Sequence, residues 1–212
     1  MELAAEQPLD PGLILLAETQ AALRGDSARV RDAVSMLGGD ALELEAPSNL
    51  SFDALDSVMA RIDALETGVD LSRRAGRAAG RAISEVLELP EPLREAALYA
   101  LGGRGWQMAG PGLKVLDLDV GSAHEVQLLR IEPGSGAPRH DHSGVEHTLV
   151  VTGAFRDETG LFRSGDIASK APGDVHRPVA EPGRVCFALA VSTGHPEFTG
   201  ALGFVTRLLR RS

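Results

Sequence analysis

The residues best suited to chemistry in this chain lie close together between Gly134 and Gly153. His140 and His142 are two apart, and Glu146 follows four residues later. On an extended strand, residues i and i+2 point to the same side, so the two imidazoles can aim at one point. Glu146 adds a hard oxygen donor. Further on, after the Pro172-Gly173 turn, His176 offers a third imidazole. Three nitrogens and one carboxylate suit a divalent metal such as zinc, manganese, iron or nickel. The candidate ligands are therefore His140, His142, Glu146 and His176.

Such a set needs a scaffold, and the chain changes character to supply one. From Trp106 onward, short apolar or alternating runs read as strands: 113–120, 125–131, 147–152, 166–170 and 185–191. Pro-Gly and Thr-Gly pairs at 111–112, 133–134, 159–160, 172–173 and 182–183 punctuate them as turns. Short strands separated in this way imply an all-β sandwich or barrel. In the last run, Val185, Phe187, Leu189 and Val191 form a bulky face suited to packing against another layer. Cys186, Ala188 and Ala190 form a small face suited to a barrel interior with room for a ligand. Cys186 itself reads as a buried small hydrophobe.

The first third reads as helical. Asp10-Pro11 is an N-cap followed by proline at the first helical position, with Leu13, Leu16, Ala17 and Leu23 on one face. A second segment starts at Asp26 or Ser27 and places Val30, Ala33, Val34 and Leu37 at helical spacing before Gly38-Gly39. A third has Leu55, Val58, Met59, Ile62 and Leu65 on one face. Residues 68–92, rich in Ala, Gly and Arg, read as a joint that is either a short helix or an exposed linker. Leu93–Leu101 reads as one or two further helical turns. The expected fold class is α+β in two domains: a small helical domain over 1–70, a linker over 71–92 and an all-β barrel over 93–212.

Charge and composition narrow the function. Residues 1–70 hold fourteen acids and four arginines, a net charge of −10, while the whole chain is −9. Phosphates would be repelled there, which argues against direct nucleic-acid binding and suits a basic protein partner. No run of 18 apolar residues exists, and the acidic start lacks a secretory signal, so no membrane association is expected and a cytoplasmic location is. A single cysteine excludes an intrachain disulfide. His124, His147 and His195 read as surface residues; His147 follows Glu146 and so faces the other way on a strand.

Written as spacing, the first cluster is G-x5-H-x-H-x3-E-x6-G from Gly134 to Gly153, which matches the first cupin motif at every position. The second cupin motif is met in part by Gly165, Pro172, Gly173 and His176. Its proline-to-histidine spacing is one shorter than usual, and Ala180 stands where an asparagine is common. The barrel is thus expected to be a cupin jelly roll. The resemblance extends beyond the motifs. The segments 128–134, 138–142, 148–150, 153–160 and 178–183, with 104–106, 110–112, 50–55 and 60–63, resemble the ChrR family of bacterial anti-sigma factors.

That resemblance implies N-terminal helices that bind an extracytoplasmic-function sigma factor. It also implies a cupin that takes part in the response to singlet oxygen or organic peroxide, with one zinc ion in each domain. The chain departs from the family in one respect. It has no histidine before His124 and no cysteine before Cys186, so the N-terminal zinc site cannot exist, and Val30, Val34 and Leu37 fill the expected ligand helix with apolar residues. The expected cofactor is therefore one divalent ion in the barrel, zinc first, with iron, nickel or manganese as alternatives. Two other functions compete with the anti-sigma reading, which ranks first and is not enzymatic. One is a metal-dependent, dioxygenase-like enzyme. The other is a stand-alone module that senses a small apolar molecule in the barrel.

Overall fold

Asp10 caps the first helix. In the computed structural model, which describes residues 9–26, 77–194 and 196–198, its Oδ1 accepts from the backbone N–H groups of Gly12 (2.8 Å) and Leu13 (3.3 Å). Helix α1, Pro11–Arg24, follows and ends at Gly25, which takes the left-handed conformation (φ 77°). Helices α2 (Arg77–Leu87) and α3 (Leu93–Leu101) precede eleven strands. These are β1 (Gln107–Gly110), β2 (Leu113–Asp117), β3 (Glu125–Ile131), β4 (His140–His142), β5 (Glu146–Thr152), β6 (Ala154–Asp157), β7 (Gly160–Arg163), β8 (Ile167–Lys170), β9 (Val179–Ala180), β10 (Cys186–Ser192) and β11 (Pro196–Phe198).

Six strands pair in the order β1-β2-β3-β10-β5-β8, all antiparallel. A three-stranded sheet, β7-β6-β9, and the pair β11-β4 supply the remaining wall. The alternation along each strand divides the apolar residues into two cores. Val126, Leu128, Leu149, Val151, Phe187, Leu189 and Val191 face outward from the large sheet and are covered by Leu15, Leu16, Val86, Leu89, Leu93 and Ala97 from the helical segments. Leu113, Ile131, Val150, Phe155, Ala168, Ala180 and Cys186 form the inner core. The bulky face of β10 thus meets another layer and its small face lies inside, as the sequence pattern implies.

The helices differ from the sequence reading in two ways. The stretch assigned as a linker over 71–92 takes the helical one of its two alternatives as α2, and it is docked: Val86 within it and Leu89 just after it are buried in the outer core. Its alanines, glycines and arginines dilute the apolar signal, but two residues placed on the sheet are enough to dock it. Arg130 on β3 holds it further with two bonds to Glu85 (2.6 and 2.8 Å).

Helix α1, expected in a separate domain over 1–70, also lies on the large sheet, across β5 and β10. Its buried residues are Gly12, Leu15, Leu16, Thr19 and Ala21, whereas Ala17 of the expected stripe is exposed. Polar contacts set its position. Ser122 Oγ donates to Asp10 Oδ1 (2.7 Å), Ala123 N–H donates to Asp10 Oδ2 (2.9 Å), and Gln20 and Arg24 both donate to the Gly165 carbonyl (2.9 Å each). The helices expected up to Leu37, beyond Asp26, and from Leu55 to Leu65 lie outside the described residues.

Candidate metal centre

The strand β4 is only three residues long, yet it places both His140 and His142 inward, and both side chains are buried. His176 stands in the segment between β8 and β9. It is brought alongside β4 by a two-way backbone bridge: His140 N–H to His176 O (3.0 Å) and His176 N–H to His140 O (2.9 Å). The turn before it is closed by Ala171 N–H donating to Asp174 Oδ2 (2.8 Å). Glu146 opens β5, which pairs with β10 and β8.

Glycines let these segments meet. Gly153, which ends the first motif, takes φ +75°, and a Cβ there would lie 2.7 Å from the Val185 carbonyl oxygen.

The three imidazoles converge through Nε2. His176 Nε2 lies 3.0 Å from His140 Nε2 and 3.0 Å from His142 Nε2. Nitrogens bound to one ion at about 2.0–2.1 Å, at tetrahedral or octahedral angles, sit about 2.9–3.4 Å apart, so the spacing fits a shared cation. The tautomer of His140 points the same way. Its Nδ1 is 2.7 Å from the Pro138 carbonyl, which can only accept, so Nδ1 carries the proton and Nε2 presents a lone pair to the centre. Glu146 Oε1 is 3.6 Å from His142 Nε2 and accepts from Thr148 Oγ (2.9 Å). The three buried histidines can bind a metal ion inside the barrel, and Glu146 stands at the edge of that group.

Electrostatics favour neutral ligands. Burial holds the pKa of His140 down against the Pro138 carbonyl, which raises it. Burial also lowers that of His142. His176 is lowered to about 4, first by burial and then by the neighbouring charges of His140, His142 and Lys170. At neutral pH all three rings are free of the proton that would compete with a metal. Burial raises the pKa of Glu146, an effect that a bound cation reverses.

A cavity of about 370 Å³ opens beside these ligands. His140, His176 and Glu146 line one part, and Leu129, Ile131, Phe155 and Ala168 an apolar part. Ala188 and Ala190 of the small β10 face leave this room, while Cys186 sits in the inner core, with burial pushing its thiol up to about 12. His147 is turned from the cluster, with Nδ1 2.9 Å from Ser169 Oγ. His195 lies outside the described residues.

The sequence reading missed a second layer behind His176. The side chain of Asp157, at the end of β6, is fully buried, and its Oδ2 lies 2.7 Å from Lys170 Nζ and 3.6 Å from His176 Nδ1. One signal was available. Lys170 shares the inward face of β8 with Ala168, and a lysine there demands a counter-charge.

Comparison with known proteins places this geometry. The family described as "ChrR Cupin-like domain" matches residues 95–196. The anti-sigma-E factor ChrR of Cereibacter sphaeroides is 36% identical over 178 residues, which cover 84% of this chain and 79% of that protein. The chain belongs to the ChrR family. The crystal structure of Rhodobacter sphaeroides SigE in complex with the anti-sigma ChrR superposes with a TM-score of 0.54 at 33% identity, covering 87% of this chain and 90% of that one. Membership extends beyond the cupin domain, because the aligned span with the curated relative is much longer than the barrel. Among the described residues, no helix is long and apolar enough to cross a membrane.

Proposed function

We propose that this protein is a cytoplasmic anti-sigma factor. In this reading its N-terminal region, drawn from residues 1–70, holds an extracytoplasmic-function sigma factor away from RNA polymerase. Its cupin barrel carries one divalent ion, zinc first, on His140, His142, Glu146 and His176. The observation that carries the anti-sigma assignment is the 36% identity to an anti-sigma-E factor over 84% of the chain. The metal assignment is carried by the three Nε2 atoms converging at 3.0 Å. The net charge of −10 over residues 1–70 supports a basic surface on the partner, with association faster at low salt. The signal is an oxidant, singlet oxygen or an organic peroxide, and its arrival at the barrel loosens the hold on sigma.

A bound ion would supply Lewis acidity and a fixed positive charge at the base of the cavity. The protein's own residues set the rest. Pro138 fixes the His140 tautomer, Thr148 orients Glu146, and the apolar wall restricts water. The roughly 370 Å³ cavity also favours a second reading, in which the barrel senses a small apolar molecule or acts on it in a dioxygenase-like reaction.

The test is titration of the full-length chain with the sigma factor encoded nearest its gene, together with metal analysis. A stable complex in wild type and in His142→Ala, and loss of the ion in His142→Ala, are expected. Absence of a complex at micromolar sigma factor would refute the anti-sigma reading. Full metal content and affinity in His142→Ala and His176→Ala would refute the ligand assignment. Oxygen uptake by the iron-loaded protein in the absence of sigma factor would favour the enzyme.

A further inference from the structure

His176 differs from the other two histidines in its support. His140 and His142 lie on a strand, whereas His176 is in a connecting segment; the buried Nδ1 atoms of His142 and His176 both make no hydrogen bond, but that of His176 has a carboxylate oxygen, Asp157 Oδ2, 3.6 Å away. A metal-binding imidazole ordinarily donates its second ring N–H to a carboxylate or carbonyl, which fixes both tautomer and ring orientation. Asp157 Oδ2, 3.6 Å from the His176 Nδ1, is an acceptor close to it.

The turn joining β6 to β7 divides the work of Asp157 between its two oxygens. Oδ1 accepts from Thr159 N–H (2.7 Å), Thr159 Oγ (2.6 Å) and Gly160 N–H (3.2 Å), which closes the turn. Oδ2 is left facing inward, toward Lys170 Nζ at 2.7 Å and His176 Nδ1 at 3.6 Å. Lys170 Nζ also donates to Thr159 Oγ (3.0 Å). The next residue holds the same histidine segments from outside: Glu158 accepts from the backbone N–H of Arg177 (2.9 Å) and from Arg139 Nη1 (2.8 Å). One turn thus reaches both flanks of the centre.

A buried Lys–Asp pair is not the cheapest way to fill a barrel interior, because desolvating two charges offsets most of their attraction. Its position beside His176 gives it a use. We propose that Asp157 is a positioning residue for the metal centre: Oδ2 accepts the Nδ1 proton of His176 and so presents Nε2 to the ion, while Lys170 keeps the carboxylate charged and buried until it does so. This rests on the metal reading above. Lys170 and His176 face the same oxygen of Asp157, so the ring and the ammonium compete for it. Removing the ammonium leaves Oδ2 to the ring alone.

The experiment uses full-length, metal-stripped protein titrated with zinc against a chromophoric chelator, and with cobalt for its visible spectrum. Asp157→Asn should weaken zinc binding about 10–100-fold and alter the cobalt bands. Lys170→Met should lower the melting temperature of the metal-free protein yet tighten zinc binding. The double variant Asp157→Asn/Lys170→Met carries no unpaired buried charge. It should fold and still bind zinc as weakly as Asp157→Asn, and it stands in for that variant if the single change fails to fold. Wild-type affinity and cobalt spectrum in the double variant would show the pair to be a structural filler and overturn the proposal. A wild-type protein that takes up neither ion would instead overturn the metal centre itself.

Discussion

Acidifying the metal-free protein should cost it stability between about pH 6.5 and pH 4. His176 is held down to about 4 in the folded chain, against an ordinary value of 6.5. Between those values the unfolded chain binds a proton that the folded chain refuses. The contribution of His176 is therefore intact above pH 6.5, falls as pH drops through that window, and levels off near 4, below which the lowered carboxyl of Asp157 continues the loss. The full shift is worth about 3 kcal/mol at about 1.4 kcal/mol per pH unit, and about 2 kcal/mol once solvent reaching the ring from the cavity is allowed for. His140 and His142 are displaced in the same direction and add to the loss. Glu146 is displaced upward, so the folded state accepts its proton more readily, and it opposes the loss at the acid end.

At about 2–4 °C per kcal/mol for a chain of this size, the melting temperature should fall by about 4–8 °C between pH 7 and pH 4.5. Thermal melts in chelator, followed by circular dichroism and by the fluorescence of Trp106, the sole tryptophan, measure this. His176→Asn cannot take up the proton, so its drop should be smaller. The reasoning is refuted if wild type shows no drop, or if His176→Asn shows the same one.

Three further outcomes follow from the packing. Cys186, its thiol pushed up to about 12 by burial, should not react with a disulfide reagent at pH 8 until the chain is unfolded, when one equivalent should react. Gly136→Ala would set a Cβ 2.0 Å from the Pro178 carbonyl oxygen where residues 136 and 179 bridge. A loss of about 1–3 kcal/mol in urea unfolding is expected. Arg130→Met removes both bonds to Glu85, and with them about 1.5–3 kcal/mol of the hold on α2. Limited proteolysis should then cut near residues 77–92 sooner than in wild type.

The candidate centre was legible because its chemistry is local. Histidines two apart on a strand must share a face, and a Pro-Gly turn ahead of His176 announces a return of the chain. The longer strands were legible for a similar reason: Glu125–Ile131 and Cys186–Ser192 run seven residues each and show their alternation. Strands β4, β6, β7 and β9 hold two to four residues, too few to display a period. The start of α1 was written in Asp10-Pro11, but its buried face was not, because Gly12 and Thr19 are not apolar signals and only contact with Val126 and its neighbours selects them. Lys170 escaped because a lysine reads as a surface residue until its partner is known, and Asp157 is thirteen residues away.

Helices α1 and α2 dock on the same barrel, so both ends of the chain that joins them are fixed to it. About fifty residues leave at Gly25 and return at Arg77, and both ends are anchored. A pull on these two helices is taken up at two anchors. One is Arg130 on β3, through Glu85. The other is the Gly165 carbonyl, which holds Gln20 and Arg24. Gly165 lies two residues ahead of β8, the strand that ends in Lys170, and α1 rests on β5, the strand that begins with Glu146. The path from the two helices to the histidines is thus short and made of strands.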